Sequence, residues 1–416
     1  MSKREQSQAC LNSAEHEKNQ GRKVLNVPNL RFPEFQGEWE EERLADIADL
    51  YKGTGISKDQ LSDDGEPCIL YGELYTKYKS ETIREVISKT NIDNTKLVRS
   101  KANDVIIPCS GETAEDIATA RCVLNGNILL GGDLNIIRLH RYDGTFMSYQ
   151  LNGRRKYDIA KVAQGVSVVH LYGEHLKGVK TINPCLEEQK KIASLLALLD
   201  ERITTQNKII DKLQSLIKGI CNNYFEKLSV QEKANLIRLS DVLKERNEYS
   251  SKDGKFIHGT LSKDGIFPKT GRWDRDFLVK QEDKKYKVTH LDDICYNPAN
   301  LKFGVICRNT FGDLIFSPIY VTFEVCKNVN IGFMELYLTN HNFIEKVRRF
   351  EQGTVYERMA VSPEDFLSYK IRIPSYSDQT FFYKKVQWLI TLSQNEMKLL
   401  SQYKKLRQYL LRQMFI

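Results

Sequence analysis

The sequence predicts an α+β chain: two tandem β-rich, antiparallel domains, each followed by a long α-helix. Three observations carry this. A heptad seam runs through the middle of the chain, and a worn copy of it closes the chain. The residues between are short β-branched and aromatic runs broken by Gly, Asn and Asp, which read as strands and turns. The helices are expected to pair as an antiparallel coiled coil with pseudo-two-fold symmetry.

Residues 1–25 are polar and lack an apolar h-region, so they read as a disordered tail rather than a secretory signal. Residues 26–184 form the first domain, with strand-like "DVIIPCSGE" and "ARCVLNGNILLGGDLNIIRLH" and a helical return near "SYQLNGRRKYDIAKVAQG". Residues 185–227 form the central helix. Its apolar residues Ile192, Leu196, Leu199, Ile203, Ile210, Leu213 and Ile217 step by three and four, with a polar slot at Gln206, a candidate register-setting residue. Pro184 precedes it, and Glu187 and Glu188 sit in its first turn, where the helix dipole favours carboxylates. At ~1.5 Å per residue such a helix is roughly 60 Å long. Residues 228–374 form the second domain, with "DDICYNPANLKFGVICRN" and "DLIFSPIYVTFEV". Each sheet is expected to be mostly antiparallel and barrel-like. Residues 375–416 form the second helix, with Leu389, Leu400 and Leu410 on its seam and Ser393, Glu396 and Arg407 interrupting it.

The two helices are copies. Pro184 matches Pro374, Gln189 matches Gln379, Leu199 matches Leu389 and Phe225 matches Phe415, at a constant offset of 190 residues. Ser375 to Asp378 adds a cap-like S-x-x-D. Upstream, Glu42–Ile47 matches Ile237–Val242, Ala102–Pro108 matches Leu291–Pro298, and "VAQG" matches the stretch around Gln352 and Gly353. The chain is a tandem duplication of domain and helix. Two related domains carried on paired helices suit a target with two unlike halves at a fixed gap, as dimeric DNA readers use half-sites.

Other chemistries are excluded or weak. No apolar run approaches the ~18 residues of a membrane span. The nine cysteines are scattered with no C-x-x-C, which argues against a zinc ribbon or disulfide framework and for a reducing cytoplasm. The charge of +8 permits a polyanionic partner without requiring one. There is no G-x-x-x-x-G-K-[ST] loop for ATP. "YNPANL" lacks the second Pro and the aromatic of an adenine-methyltransferase motif and reads as a strand-ending turn, and "LLGGDLN" reads as a turn or bulge. His170 and His175 lack the i, i+4 zinc spacing, and no metal ligands are expected.

Tandem domains each ending in "QG", then P-x-x-x-E/D-Q and a long helix, resemble the DNA specificity subunit of type I restriction–modification systems. The resemblance rests on "INPCLEEQKKIASLLALLDERI", "LRFPEFQGEWEEERLADI" and "DDICYNPANLKFGVI", and covers residues 26–416. The second junction departs from it, with Asp378 in place of Glu188. It implies recognition of a bipartite, asymmetric site on double-stranded DNA, without catalysis by this chain. The implied partners are two methyltransferase subunits, which use S-adenosylmethionine, and restriction/translocase subunits, which use ATP and Mg. No cofactor is expected in this subunit. A coiled-coil adaptor with two β-rich protein-binding domains is the alternative reading.

Cations interleaved with aromatics and amides mark the expected DNA contacts. In the first domain these are Lys52, Thr54, Lys58, Tyr71, Glu73, Tyr75, Lys77, Tyr78, Ser110 and Thr113. In the second they are Arg246, Asn247, Lys255, His258, Lys263, Lys269, Arg272, Trp273, Asn297, Asn300 and Lys302. Glu73 is a candidate acceptor for a cytosine amine.

Overall fold

The structure, a computed structural model, describes residues 26–93, 95–165, 168–251, 255–269, 285–351 and 360–416. The expected tail at 1–25, the echo at Gln352 and Gly353, and candidates Arg272 and Trp273 lie outside the described residues. The chain divides into two compact units. One holds the residues up to Asn207 together with Leu399–Ile416, and the other holds Lys208–Lys398.

In the first unit the elements that matter are β1 (Glu40–Arg43), β2 (Ala48–Lys52), β3 (Asp104–Pro108), β4 (Leu134–Leu139), α1 (Gly144–Asn152), β5 (Lys180–Asn183) and the start of the long helix α2 (Leu186–Val230). β1 runs antiparallel to β5, with Glu40 opposite Asn183. β2, β4 and β3 are neighbours in a five-stranded sheet that ends on Arg121–Val123 and Thr82–Ile83. Every residue of β3 is buried, which is why "DVIIP" reads as a continuous apolar run and does not alternate. α1 is capped by Asp143, whose carboxylate accepts from Phe146 N.

The second unit repeats this order with β6 (Asn235–Arg238), β7 (Leu243–Glu245), β8 (Ile294–Tyr296), β9 (Ile306–Arg308), β10 (Val321–Val325), α3 (Ile331–Leu338), β11 (Lys370–Ile373) and the start of α4 (Tyr376–Gln413). β6 runs antiparallel to β11. β7, β10, β8 and β9 form a sheet in that order, and Asn330 caps α3 as Asp143 caps α1. Pairing is mostly antiparallel, with parallel pairs such as Thr82–Ile83 on Arg121–Val123 and Ile257–Ser262 on Leu314–Phe316. The described strands fall into sheets of two, four and five strands, and in the second unit the edge strand Gly265–Pro268 of one sheet contacts β9 at the edge of another.

At each strand-to-helix corner a glutamine makes the same two bonds. Gln189 Oε1 accepts from Asp143 N at 2.9 Å, and its Nε2 donates to Pro184 O at 2.8 Å. Gln379 Oε1 accepts from Asn330 N at 2.9 Å, and its Nε2 donates to Pro374 O at 3.0 Å. The neighbouring acids differ. Glu188 is fully buried on Arg31, with bonds of 2.8 and 2.7 Å. Asp378 forms the expected cap with Ser375, whose Oγ accepts from Asp378 N at 3.2 Å.

Within each unit the helices run antiparallel. In the first, Asp200 meets Arg407, while the earlier Ile192, Leu196 and Leu199 share a core with the later Leu410, Met414 and Phe415. In the second, Tyr224 stacks on Phe382 with ring centroids 3.7 Å apart, and Ile217 and Ile390 pack on the same core. Of the other predicted seam residues, Ile210 and Gln206 are buried and Ile203, Leu213, Leu389 and Leu400 are half-buried. Phe382 and Val386, absent from the predicted seam, are buried at the places matching Ile192 and Leu196.

The charge at seam position 407 is not wear. Arg407 donates to Asp200 Oδ1 at 2.5 Å and to Glu81 Oε2 at 2.7 Å, and Tyr149 OH donates to Asp200 Oδ2 at 2.6 Å. Burial raises the Glu81 carboxyl above the usual range, against the pull of Arg407. The second unit has Leu336, Ile390 and Ile217 at the places matching Tyr149, Asp200 and Arg407, all packed against its apolar core. Arg407→Ala leaves two buried carboxylates without their shared guanidinium. It is expected to destabilise the chain by about 3–5 kcal/mol. An unchanged urea midpoint for the first unit's transition contradicts this account.

Candidate nucleic-acid interface

Both domains launch their central strand from the same turn. Asn103 and Asp292 take left-handed backbone, with φ of 79° and 74°, which short polar side chains tolerate. The next residue is a buried aspartate held by a guanidinium fork. Arg138 Nε and Nη2 donate to Asp104 at 2.9 and 2.7 Å. Arg246 Nε and Nη2 donate to Asp293 at 2.9 and 3.1 Å. A backbone N–H adds to each carboxylate, from Lys101 and from His290, both at 2.7 Å. The two domains share this frame and diverge at the far end of the strand. After β3 comes a loop, Cys109 to Thr113, and the short helix Ala114–Ile117. After β8 comes a 3-10 helix, Pro298–Phe303.

In the first domain that loop forms one wall of a cleft of about 600 Å³. Tyr71, Gly72, Tyr75 and Thr76 line one side, and Ser110, Gly111, Glu112, Asp116 and Val168 line the rest. Tyr75 OH donates to Ser110 O at 3.1 Å, which ties the two segments together. Burial raises the Tyr75 phenol far above its usual range, so it stays a neutral donor. A Cβ at Gly111 would lie 3.1 Å from Tyr75 Oη and 3.2 Å from Ile117 Cβ, so these neighbours would have to shift slightly to accept one. Ser110 Oγ lies 3.4 Å from His170 Nδ1.

The cleft therefore collects three of the predicted residues, Tyr71, Tyr75 and Ser110, from separate segments. Thr113 is at its rim, where it caps Ala114–Ile117 by accepting from Asp116 N. Lys52 and Lys58 are exposed elsewhere, and Thr54 is exposed with its Oγ1 accepting from Val98 N. Lys77 is held by Glu73 and Ser88 at 2.7 and 2.6 Å.

Several predicted contacts are structural instead. Glu73 is buried, accepting from Leu70 N, Lys77 and Ser88, so it has no free oxygen to offer a base. Tyr78 is buried, its hydroxyl accepting from Ile87 N. Arg246 is spent on Asp293, whereas Asn247 is exposed, with its Oδ1 accepting from Lys287 at 2.9 Å. Asn297 is buried as the cap of the 3-10 helix. Each belongs to a residue type that buried hydrogen bonds and DNA both use. Lys255 and Lys263 are exposed, and His258, Lys269, Asn300 and Lys302 are half-buried. Among the described residues no group of three or more His, Cys, Asp or Glu could hold a metal ion, and no helix is long and apolar enough to cross a membrane.

Residues 36–215 match the family model of the type I restriction modification DNA specificity domain. Among relatives, the chain is 28% identical over 199 residues to the type I restriction enzyme MjaVIII specificity subunit of Methanocaldococcus jannaschii, covering 48% of this chain and 44% of that one. It is 26% identical to the putative MjaX specificity subunit of the same organism, covering 49% of each. The chain thus spans about half the length of the relatives it matches. The type I restriction–modification S subunit from M. genitalium shares its fold, with a TM-score of 0.62 at 18% identity over 94% of this chain and 99% of that one. A chain from work on complex assembly and conformational transition of the type I R-M system has a TM-score of 0.51 at 13% identity, covering 91% and 97%. The chain thus has the same overall fold as the M. genitalium S subunit.

Beside the shared turn of the second domain, His290 sits between two carboxylates, 3.0 Å from Glu248 and 2.8 Å from Asp313. Burial works to lower its pKa, but the bonds to Glu248 and Asp313 outweigh it and raise it above the usual 6.5. A raised folded value stabilises the protein below about pH 6.5, and that stability is lost as pH climbs through the folded value. His290→Gln is expected to flatten stability against pH across that window. A variant that keeps the wild-type slope in chemical denaturation at pH 5.5 and 8.5 refutes the assignment.

Proposed function

We propose that this chain is the DNA-specificity subunit of a type I restriction–modification complex, reading a bipartite asymmetric site on double-stranded DNA. One observation carries the reading. The first half of the chain matches a specificity-domain model, and the second half repeats its frame, with the same aspartate-anchored turn leading into different loops. Residues 26–184 and 228–374 are the two target-recognition domains, and 185–227 and 375–416 are the spacers between them. In the first domain the cleft of Tyr71, Tyr75, Ser110 and Glu112 faces the bases, with hydroxyls and a carboxylate that can pair with base edges. The exposed Lys52 and Lys58 supply phosphate contacts. This subunit carries no catalysis and no cofactor. S-adenosylmethionine, ATP and Mg belong to the methyltransferase and restriction/translocase partners, and the complex works in the cytoplasm.

Matched exposed residues on the helices support two copies of one partner. Leu198 is 62% exposed and its counterpart Trp388 66%. Leu216 is 49% exposed and its counterpart Leu406 45%. Each unit therefore presents one residue of each matched pair, an arrangement that suits two identical methyltransferase subunits. Large apolar side chains left in water at repeated places favour a partner surface. Replacing Trp388 or Leu198 with Glu is expected to remove one methyltransferase each, read by native mass spectrometry of the co-expressed complex. Both variants retaining two copies would exclude this surface.

The decisive measurement is the methylome of cells that co-express the chain with its cognate methyltransferase. N6-methyladenine is expected in a split motif. Exchanging residues 26–184 for another domain of the family should change one half of that motif, and a seven-residue insertion between Ile203 and Ile210 should change its gap. A protein-binding adaptor would leave no motif at all, and its binding would lack the steep salt dependence of phosphate contacts.

A further inference from the structure

The strand after the shared turn ends differently in the two domains, and the second ending holds an aromatic ring out in solvent. β8 and β9 pair as a hairpin, Ile294 opposite Arg308 and Tyr296 opposite Ile306, with the 3-10 helix Pro298–Phe303 as its tip. The tip is pinned at both ends. Asn297 Oδ1 accepts from Ala299 N and Asn300 N at 3.1 and 3.3 Å. Gly304 closes it in left-handed conformation at φ 77°, a backbone that favours glycine, and its N–H donates to Leu301 O at 2.8 Å. Leu301 is fully buried beneath, and Pro298 O accepts from Val361 N. On this rigid support Phe303 stands 66% exposed, with Lys302 Nζ 5.3 Å from its ring centroid.

An aromatic ring held out in water by a doubly capped turn has nothing to gain from the fold. Beside it on the turn stand the cation of Lys302 and the amide of Asn300, with the half-buried Pro298 and Ala299 at the start of the turn. Ring and cation side by side are the elements that nucleic acids use, the ring against bases and the ammonium on phosphates. The place matches the loop that lines the cleft in the first domain, counting from the aligned Asn103 and Asp292. The geometry points to Phe303 as the base-contacting residue of the second domain, with Lys302 anchoring the adjacent phosphate. The first half-site then meets a concave, hydrogen-bonding surface and the second a protruding apolar one. This rests on the reading of the chain as a DNA-specificity subunit.

The test uses the full chain in complex with its methyltransferase, and a duplex that carries the motif mapped for the wild-type complex. Phe303→Ala should leave assembly intact by size exclusion and weaken binding to that duplex about five- to hundredfold. The methylation motif should relax in one half only, and Phe303→Trp should restore binding. Lys302→Ala should weaken all duplexes alike and lower the salt slope by about one. Unchanged affinity and motif in Phe303→Ala would overturn the assignment while leaving the subunit reading in place. Loss of the methyltransferase from the Phe303→Ala complex would overturn it too, making the turn a protein contact. A wild-type complex that methylates no split motif would remove both.

Discussion

Everything in this protein hangs on one side chain per unit, the glutamine that locks a long helix to the domain behind it. A chain passing from a strand into a helix keeps two soft dihedrals at each residue, so the corner alone does not set the helix direction. Gln189 and Gln379 remove that freedom by accepting from the cap residue of the domain's own helix and donating to the prolyl carbonyl at the corner. Both are almost wholly buried, so breaking either bond strands a polar group away from water.

The duplication repeats this frame while the material around it differs. The caps Asp143 and Asn330, the turns at Asn103 and Asp292, and the paired strands β1–β5 and β6–β11 recur in both units. The helix packing does not. One unit buries an Asp200–Arg407–Glu81 network with Tyr149, and the other fills the matched places with Ile390, Ile217 and Leu336. Buried ion pairs add little net stability over well-packed apolar residues, but they penalise any arrangement that separates their partners. The end of α4 also meets the first domain through Leu30 N on Gln413 O and through Phe415 stacked on Phe146. A charged network and an apolar core in equivalent places make each unit's helix ends poor substitutes for the other's.

Much of the frame is legible in the sequence, and the interface only in part. The helices, their duplication and the importance of the P-x-x-x-E/D-Q corner come from periodicity and a constant offset. Residue type is the main sequence signal for the interface, and it cannot tell a base-reading amide from a capping one. Asn297 and Glu73 have the right chemistry and are already spent inside the fold. Glu112, Asp116 and Phe303 escape a reading by residue type, because nothing local sets them apart from solvated loop residues. The run of Asn297, Pro298 and Gly304 around Phe303 is the available signal, since a turn capped at both ends fixes whatever it carries.

By itself the sequence determined the β-rich character of the chain, its two long helices and part of the seam by which they pair. These depend on repeats of three to four residues or on copies at a fixed offset, both visible in one dimension. Tertiary structure decided which polar side chains face inward, which guanidinium holds Asp104 or Asp293, and which of the matched loops is hollow and which protrudes. Those choices depend on residues far apart in the chain meeting at hydrogen-bonding distance, as Arg407 meets Glu81, and no local pattern encodes such a meeting.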